Sequence, residues 1–274
     1  MAGFRRRLEE RGWHWLARTI TGLVLVFLLA PILVVIPISL TAGSQLVFPM
    51  PGWSIQWYLE VLNSQAWRDA AANSLFVGCF ATLLALLVGV PAALGLAGTT
   101  FRGKRLIMML VLSPMIVPIV ITAVAVYFFF VQIGLVGTYL GLILAHAMLG
   151  APFVVITVAA TLENFDPWLM RAAAGLGAPP LVAFRRVMLP LILPGVATGG
   201  LFAFATSFDE IVVALFLAAP DQRTLPRQIF SGVREYVSPA IAAVAVMLLV
   251  LSTTLLATVE VLRRRSARLR GTTP

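Results

Sequence analysis

Apolar residues in this chain come in long unbroken runs, not at the spacing of an amphipathic surface helix or a half-buried strand. Six runs can each cross a bilayer as a helix: residues 19–40, 71–98, 106–130, 138–161, 187–217 and 240–262. They lack the polar–apolar alternation of barrel strands, and a chain in lipid must satisfy its backbone internally. The expected fold is therefore all-α, a polytopic membrane protein with about six transmembrane helices. Leu106 to Leu162 contains no Asp, Glu, Lys or Arg. That stretch is long enough for two helices, and Gly134, Gly137 and Thr138 supply the turn between them. Pro31, Pro37, Pro91, Pro114 and Pro118 fall inside runs. Membrane helices tolerate proline, so these read first as kinks and sites of close packing, and second as gating hinges.

Charge sets the orientation. The 274 residues are 60% hydrophobic and only 11% charged, with a mean hydropathy of +0.98. A soluble domain of this size needs a far more charged surface. The formal net charge of +9 invites a nucleic-acid reading, but the basic residues sit beside apolar runs and not along one polar face. All of the 20 Lys and Arg except Arg68, Arg223, Arg227 and Arg234 lie in the termini or in alternate loops. The positive-inside rule then places both termini in the cytoplasm. The chain divides into a basic N-terminus (1–18), a six-span domain (19–262) and a basic tail (263–274). Arg5, Arg6 and Arg7 resemble the start of a signal peptide, but the run from Ile20 to Leu40 is too long for one and reads as a retained span. Trp53, Trp57, Tyr58 and Trp67 gather in the first outer loop, at headgroup level. Cys79 lies within an apolar run and reads as a small hydrophobe.

Few residues invite chemistry. Asp209 and Glu210 stand inside the fifth run, where one carboxylate costs on the order of 3 kcal/mol. Adjacent helical positions diverge by about 100°. One acid can therefore face a pathway while the other caps a break in the helix; a structural or interfacial site is the competing reading. His146 reads as hydrogen-bonded to a neighbouring helix ahead of a proton relay. The only other histidine is His14, so no metal site is expected. Ser113 and Ser207 have no His–Asp context for nucleophilic catalysis. The chain has no glycine-rich Gly-x-x-x-x-Gly-Lys-Ser/Thr loop, and ATP is not expected to bind it.

The segment 163–190 is the most distinctive. Asp166 can cap a short helix that has Pro167 at its first turn, and Gly177 can end that helix in a left-handed conformation. Pro179 or Pro180 then starts a second helix, expected to end near Pro190. Ala172-Ala173, Gly177, Val187 and Leu189-Pro190 fall at the spacing of a known loop: Glu-Ala-Ala, glycine six residues after the glutamate, an aliphatic residue ten further on, then Leu-Pro. The segment resembles the EAA loop of binding-protein-dependent ABC importer permeases. Leu176-Gly177-Ala178 matches the Leu-Gly-Ala core of that loop, whereas Arg171 stands where the family usually has glutamate. Gly89-Val-Pro91, Gly134 to Gly141, and Leu144-Ala-His146 are similar to the family outside the loop. Ser207-Phe-Asp209-Glu210, Arg223-Thr-Leu-Pro226 and Ser238 to Ala243 resemble its spermidine/putrescine branch.

This resemblance implies a division of labour. A periplasmic solute-binding protein captures solute, and this chain forms the path with a second permease, a homologue or itself. Two ABC ATPase subunits, which carry ATP and Mg²⁺, grip Arg171, Ala172, Ala173, Gly177, Val187, Leu189 and Pro190. Ser207, Asp209 and Glu210 lie on the path of a polyamine or related small solute. The implied location is the bacterial inner membrane. The runner-up functions are a self-contained secondary transporter, which would show internal topology repeats, and an ABC permease for another small organic solute. A membrane-embedded enzyme would need His-Glu-x-x-His or Gly-x-Ser-x-Gly, and neither is present. For 163–187 taken alone, an amphipathic helix on the inner leaflet is the alternative.

Overall fold

The computed structural model describes the backbone of residues 2–47, 49–98, 101–235 and 238–269, and their side chains except for 2–12, 235, 255–256 and 258–269. The helices are α1 (Ala2–Ser39), α2 (Gln56–Asn63), α3 (Gln65–Leu96), α4 (Lys104–Ile116), α5 (Ile119–Gln132) and α6 (Tyr139–Glu163). There follow α7 (Trp168–Gly175), α8 (Pro180–Ala183), α9 (Leu189–Phe208), α10 (Val212–Leu217), α11 (Leu225–Glu235) and α12 (Pro239–Leu269). Among the described residues, extended pairing is confined to one isolated bridge between Thr41 and Trp53. Among the described residues, four helices are long and apolar enough to span a membrane, or five if the bent pair α4–α5 counts as one. The described apolar part of α12, Pro239–Thr254, is shorter.

Two compact units make up the chain: Gln65–Ser231, and the segments on either side of it. In the central unit α3, α6 and α9 pack together. Their inward faces are lined with small residues at helical spacing. On α3 these include Ala70, Ser74, Gly78, Ala81, Ala85, Gly89 and Ala93, and on α9 Gly195, Gly199, Ala203 and Ser207. In lipid the apolar faces gain little from leaving the solvent, so close backbone approach and dispersion hold such helices together. Val154 of α6 shows how tight the fit is: a Cβ added at Gly89 would lie 2.8 Å from its Cβ, and one at Gly199 2.8 Å from its Cα. Large apolar side chains face outward instead, among them Leu83, Leu87, Phe128 and Phe129.

In the flanking unit α1 and α2 pack on α12. Ser39 Oγ and Tyr58 Oη are 2.6 Å apart, and Trp57 Nε1 donates to the Thr41 carbonyl at 2.9 Å. These bonds fix the aromatic loop, in which Trp53 is exposed.

Two runs and the second loop helix depart from expectation. The run 106–130 is two helices bent by 107°. Val117 is extended (ψ 133°) and Pro118 caps α5, because the residue before proline is driven out of the α region. Pro114, in contrast, stays inside α4. The run 187–217 breaks after Phe208 and resumes at Val212. The second loop helix does not end near Pro190: Pro180–Phe208 is a continuous 29-residue helix. Its turn Phe184–Met188 is a π-helix in which Leu189 N donates to the Phe184 carbonyl. One widened turn lets Pro190, which has no N–H, sit within the rod. Gly134 and Gly137 form the α5–α6 turn with positive φ, as expected of it.

Candidate functional site

Three features of the central unit bear on function, at its two ends. At one end α7 projects from the bundle. The Trp168 N–H donates to Asp166 Oδ1 at 2.9 Å, a local cap for the first turn. The helix closes with Leu176 N to the Ala172 carbonyl (3.0 Å), Gly177 N to Ala174 (2.9 Å) and Ala178 N to Ala173 (3.1 Å). Gly177 takes φ +80°, a left-handed value that an L side chain adopts only at a cost. No residue of α7 is buried. Trp168 is 67% exposed and Leu176 89%, so a knob with apolar edges faces away from the bundle. The Arg171 guanidinium stacks 4.5 Å over the Trp168 ring, which holds the residue standing in for the usual glutamate against its own helix.

The loop residues named from sequence do not converge on one point. Arg171, Ala172 and Gly177 are exposed on the knob, with Ala173 half-buried beside them. Val187 and Leu189 are half-buried and Pro190 exposed at the base of the long rod. There Leu189, Met188 and Phe184 pack on the core that contains Val154 and Ile192.

The other end lies level with His146, about 25 Å from Glu163 along α6 at 1.5 Å per residue. Here α9 stops. Its last turn closes with Asp209 N to the Ala205 carbonyl (3.1 Å) and Glu210 N to the Ser207 carbonyl (3.4 Å). Glu210 Oε1 accepts from Val213 N at 2.8 Å and so caps α10. Asp209 is exposed. The two acids thus diverge: one is spent on the break, and the other faces outward. Ser207 is buried and meets the fully buried His146 of α6 at 2.8 Å from Nδ1.

Beside this break lies a polar clasp that sequence reasoning missed. Asn73 Nδ2 donates to the carbonyls of Asp221 (2.9 Å) and Arg223 (3.1 Å), and Tyr139 Oη donates to Asn73 Oδ1 at 2.7 Å. Leu225 N donates to Ser74 Oγ at 2.7 Å, and Gln222 Nε2 to the Gly137 carbonyl at 2.9 Å. The Arg227 guanidinium donates to the carbonyls of Ala218 and Ala219. Burial, with repulsion from Arg223, pushes its pKa below the ordinary arginine value. The backbone of Arg223-Thr-Leu-Pro226 is therefore what the clasp holds. An asparagine next to a serine on the small-residue face of α3 is the signal that could have revealed it.

Residues 85–268 match the family model described as the binding-protein-dependent transport system inner membrane component. The chain belongs to that family. The permease is 31% identical over 248 residues to the spermidine/putrescine transport system permease protein PotC of Shigella flexneri, covering 90% of this chain and 94% of that one. It is 34% identical over 230 residues to the putrescine transport system permease protein PotI of Escherichia coli (strain K12), covering 81% and 82%. Among solved structures it is similar in fold to a chain of a bacterial ABC transporter involved in the import of the acidic polysaccharide alginate. That match has TM-score 0.72 and 19% identity, covering 92% of this chain and 96% of that one. The permease is thus a multi-pass inner-membrane subunit of an ABC importer that works with a solute-binding protein, and it is a transport subunit, not an enzyme.

Proposed function

We propose that this permease forms one half of an ATP-driven path for linear polyamines, with Asp209 as the acid on the path and 163–190 as the joint to a partner ATPase. The observation that carries the reading is the division of labour at the α9–α10 break. Glu210 is engaged as a cap, whereas Asp209 is exposed between two apolar helices. A carboxylate there needs a countercharge, and a passing di- or tri-cation supplies one. The polyamine relatives support the same substrate class.

The rod Pro180–Phe208 supports the coupling role. It starts at the α7 knob and ends at Phe208, the residue before Asp209, so a push on the knob is delivered along one helix to the acid. Two ATPase subunits bind ATP and Mg²⁺, and their clefts receive Trp168, Ala172 and Leu176. A second permease, homologous or identical, completes the path. Both termini lie in the cytoplasm, on the side of most basic residues.

The test is uptake of labelled putrescine and spermidine by vesicles that contain the whole complex. Losing a charge-assisted contact of ~1.5–3 kcal/mol lowers transport roughly 10- to 150-fold, so Asp209→Asn falls by that order while insertion and ATPase association persist. Wild-type vesicles that import neither polyamine would remove the substrate; import undiminished in Asp209→Asn would remove the acid.

A further inference from the structure

We infer that His146 is a positioning residue for the Asp209 turn, acting through Ser207. This rests on the reading of Asp209 as the pathway acid. His146 is 0% exposed, yet its Nε2 is buried with no hydrogen-bond partner in the protein. A buried imidazole with one unsatisfied nitrogen is costlier there than an aliphatic side chain of similar size. What it provides in return is the 2.8 Å contact of Nδ1 with Ser207 Oγ, which joins α6 to the last turn of α9.

Ser207 is the origin of the break. Its carbonyl accepts Glu210 N, its side chain is held by His146, and Asp209 follows two residues later. On the far side of the turn α10 is fixed by burial of Val213, Ala214 and Leu217 and by the Glu210 cap. The turn is thus clamped at both ends, and Asp209 is the exposed residue between the clamps. Without the imidazole, the Ser207 hydroxyl turns to the carbonyl one helical turn back, as serines inside helices do. The last turn of α9 is then no longer tied to α6, and the direction of Asp209 is lost. Asparagine can place an amide atom where Nδ1 stands, whereas leucine cannot.

The experiment uses the assembled complex in liposomes, in a Cys79→Ser, Asp209→Cys background, and follows modification of position 209 by a soluble thiol reagent. His146→Leu should change that rate by roughly fivefold or more, the equivalent of one net hydrogen bond. His146→Asn should restore it, and an Asp221→Cys reporter, exposed in the loop after α10, should be unaffected. An unchanged rate at 209, a failure of Asn to rescue, or an equal change at position 221 would overturn the inference. With Asp209 intact, His146→Leu should lower polyamine uptake per ATP hydrolysed, and in an Asp209→Asn background it should lower it no further; additive losses would also overturn it. If the wild-type complex imports no polyamine, the substrate assignment fails and the labelling result still decides the role of His146.

Discussion

Gly177 offers the sharpest perturbation of the joint. Its φ is +80°, and a Cβ added there would meet nothing within 4 Å. A substitution at this position therefore acts through backbone conformation alone. Forcing an L residue into the left-handed region costs about 1–2 kcal/mol, which lowers the population of the native turn roughly 5- to 30-fold. Asparagine tolerates the region best, alanine less well, and a β-branched residue least. The turn is closed by the bonds from Leu176, Gly177 and Ala178, and no α7 residue is buried, so the damage stays local. Gly177→Asn, Gly177→Ala and Gly177→Val should insert and melt like the wild type. Uptake per ATP hydrolysed, and the ATPase that co-purifies, should fall in that order. A Val variant with wild-type coupling, or an Asn variant as impaired as the Val variant, would refute the reasoning.

Single cysteines at Gly103 and Ala172 in a Cys79→Ser background should resist an impermeant thiol reagent applied outside intact cells, whereas Gly52 and Asp221 should react; labelling of Gly103→Cys from outside would contradict the topology. Asp221 is the better outer reporter because its neighbour Gln222 is buried. In the clasp, Asn73→Ala strands the bonds to Asp221, Arg223 and Tyr139 and should lower stability by about 1–3 kcal/mol per polar group left buried and unpaired. Tyr139→Phe removes one bond and should cost less, as thermal unfolding in detergent will show. Glu210→Gln keeps an oxygen for the Val213 cap and should be mild, whereas Glu210→Ala should cost about 0.5–2 kcal/mol; equal unfolding temperatures for the two would remove the cap.

The apolar runs, the Gly134–Gly137 turn, the Asp166 cap and the left-handed Gly177 were legible because each is decided by a few consecutive residues. The helix breaks were not. Pro114 and Pro118 stand in similar apolar surroundings, yet one stays within α4 and the other starts α5. Pro190 looked like a terminator and instead sits two residues beyond a π-turn, since a widened turn can absorb its missing N–H. In both cases the choice between kink, bulge and break depends on what packs against the helix, which local sequence does not carry. At the site, the divergence of Asp209 and Glu210 was foreseeable from their adjacency. The Asn73 clasp was not, because its partners are backbone carbonyls that lie 148 and 150 residues away.

In the proposed function Asp209 serves a cationic solute moved by this subunit under ATP control. The most direct measurement is ATP-dependent accumulation of labelled putrescine and spermidine by proteoliposomes that hold the full complex and its binding protein, with wild-type and Asp209→Asn permease side by side. The wild type should accumulate both, and the variant should lose roughly 10-fold or more, with ATPase association retained. Equal accumulation by the two, or none by the wild type, would contradict that function.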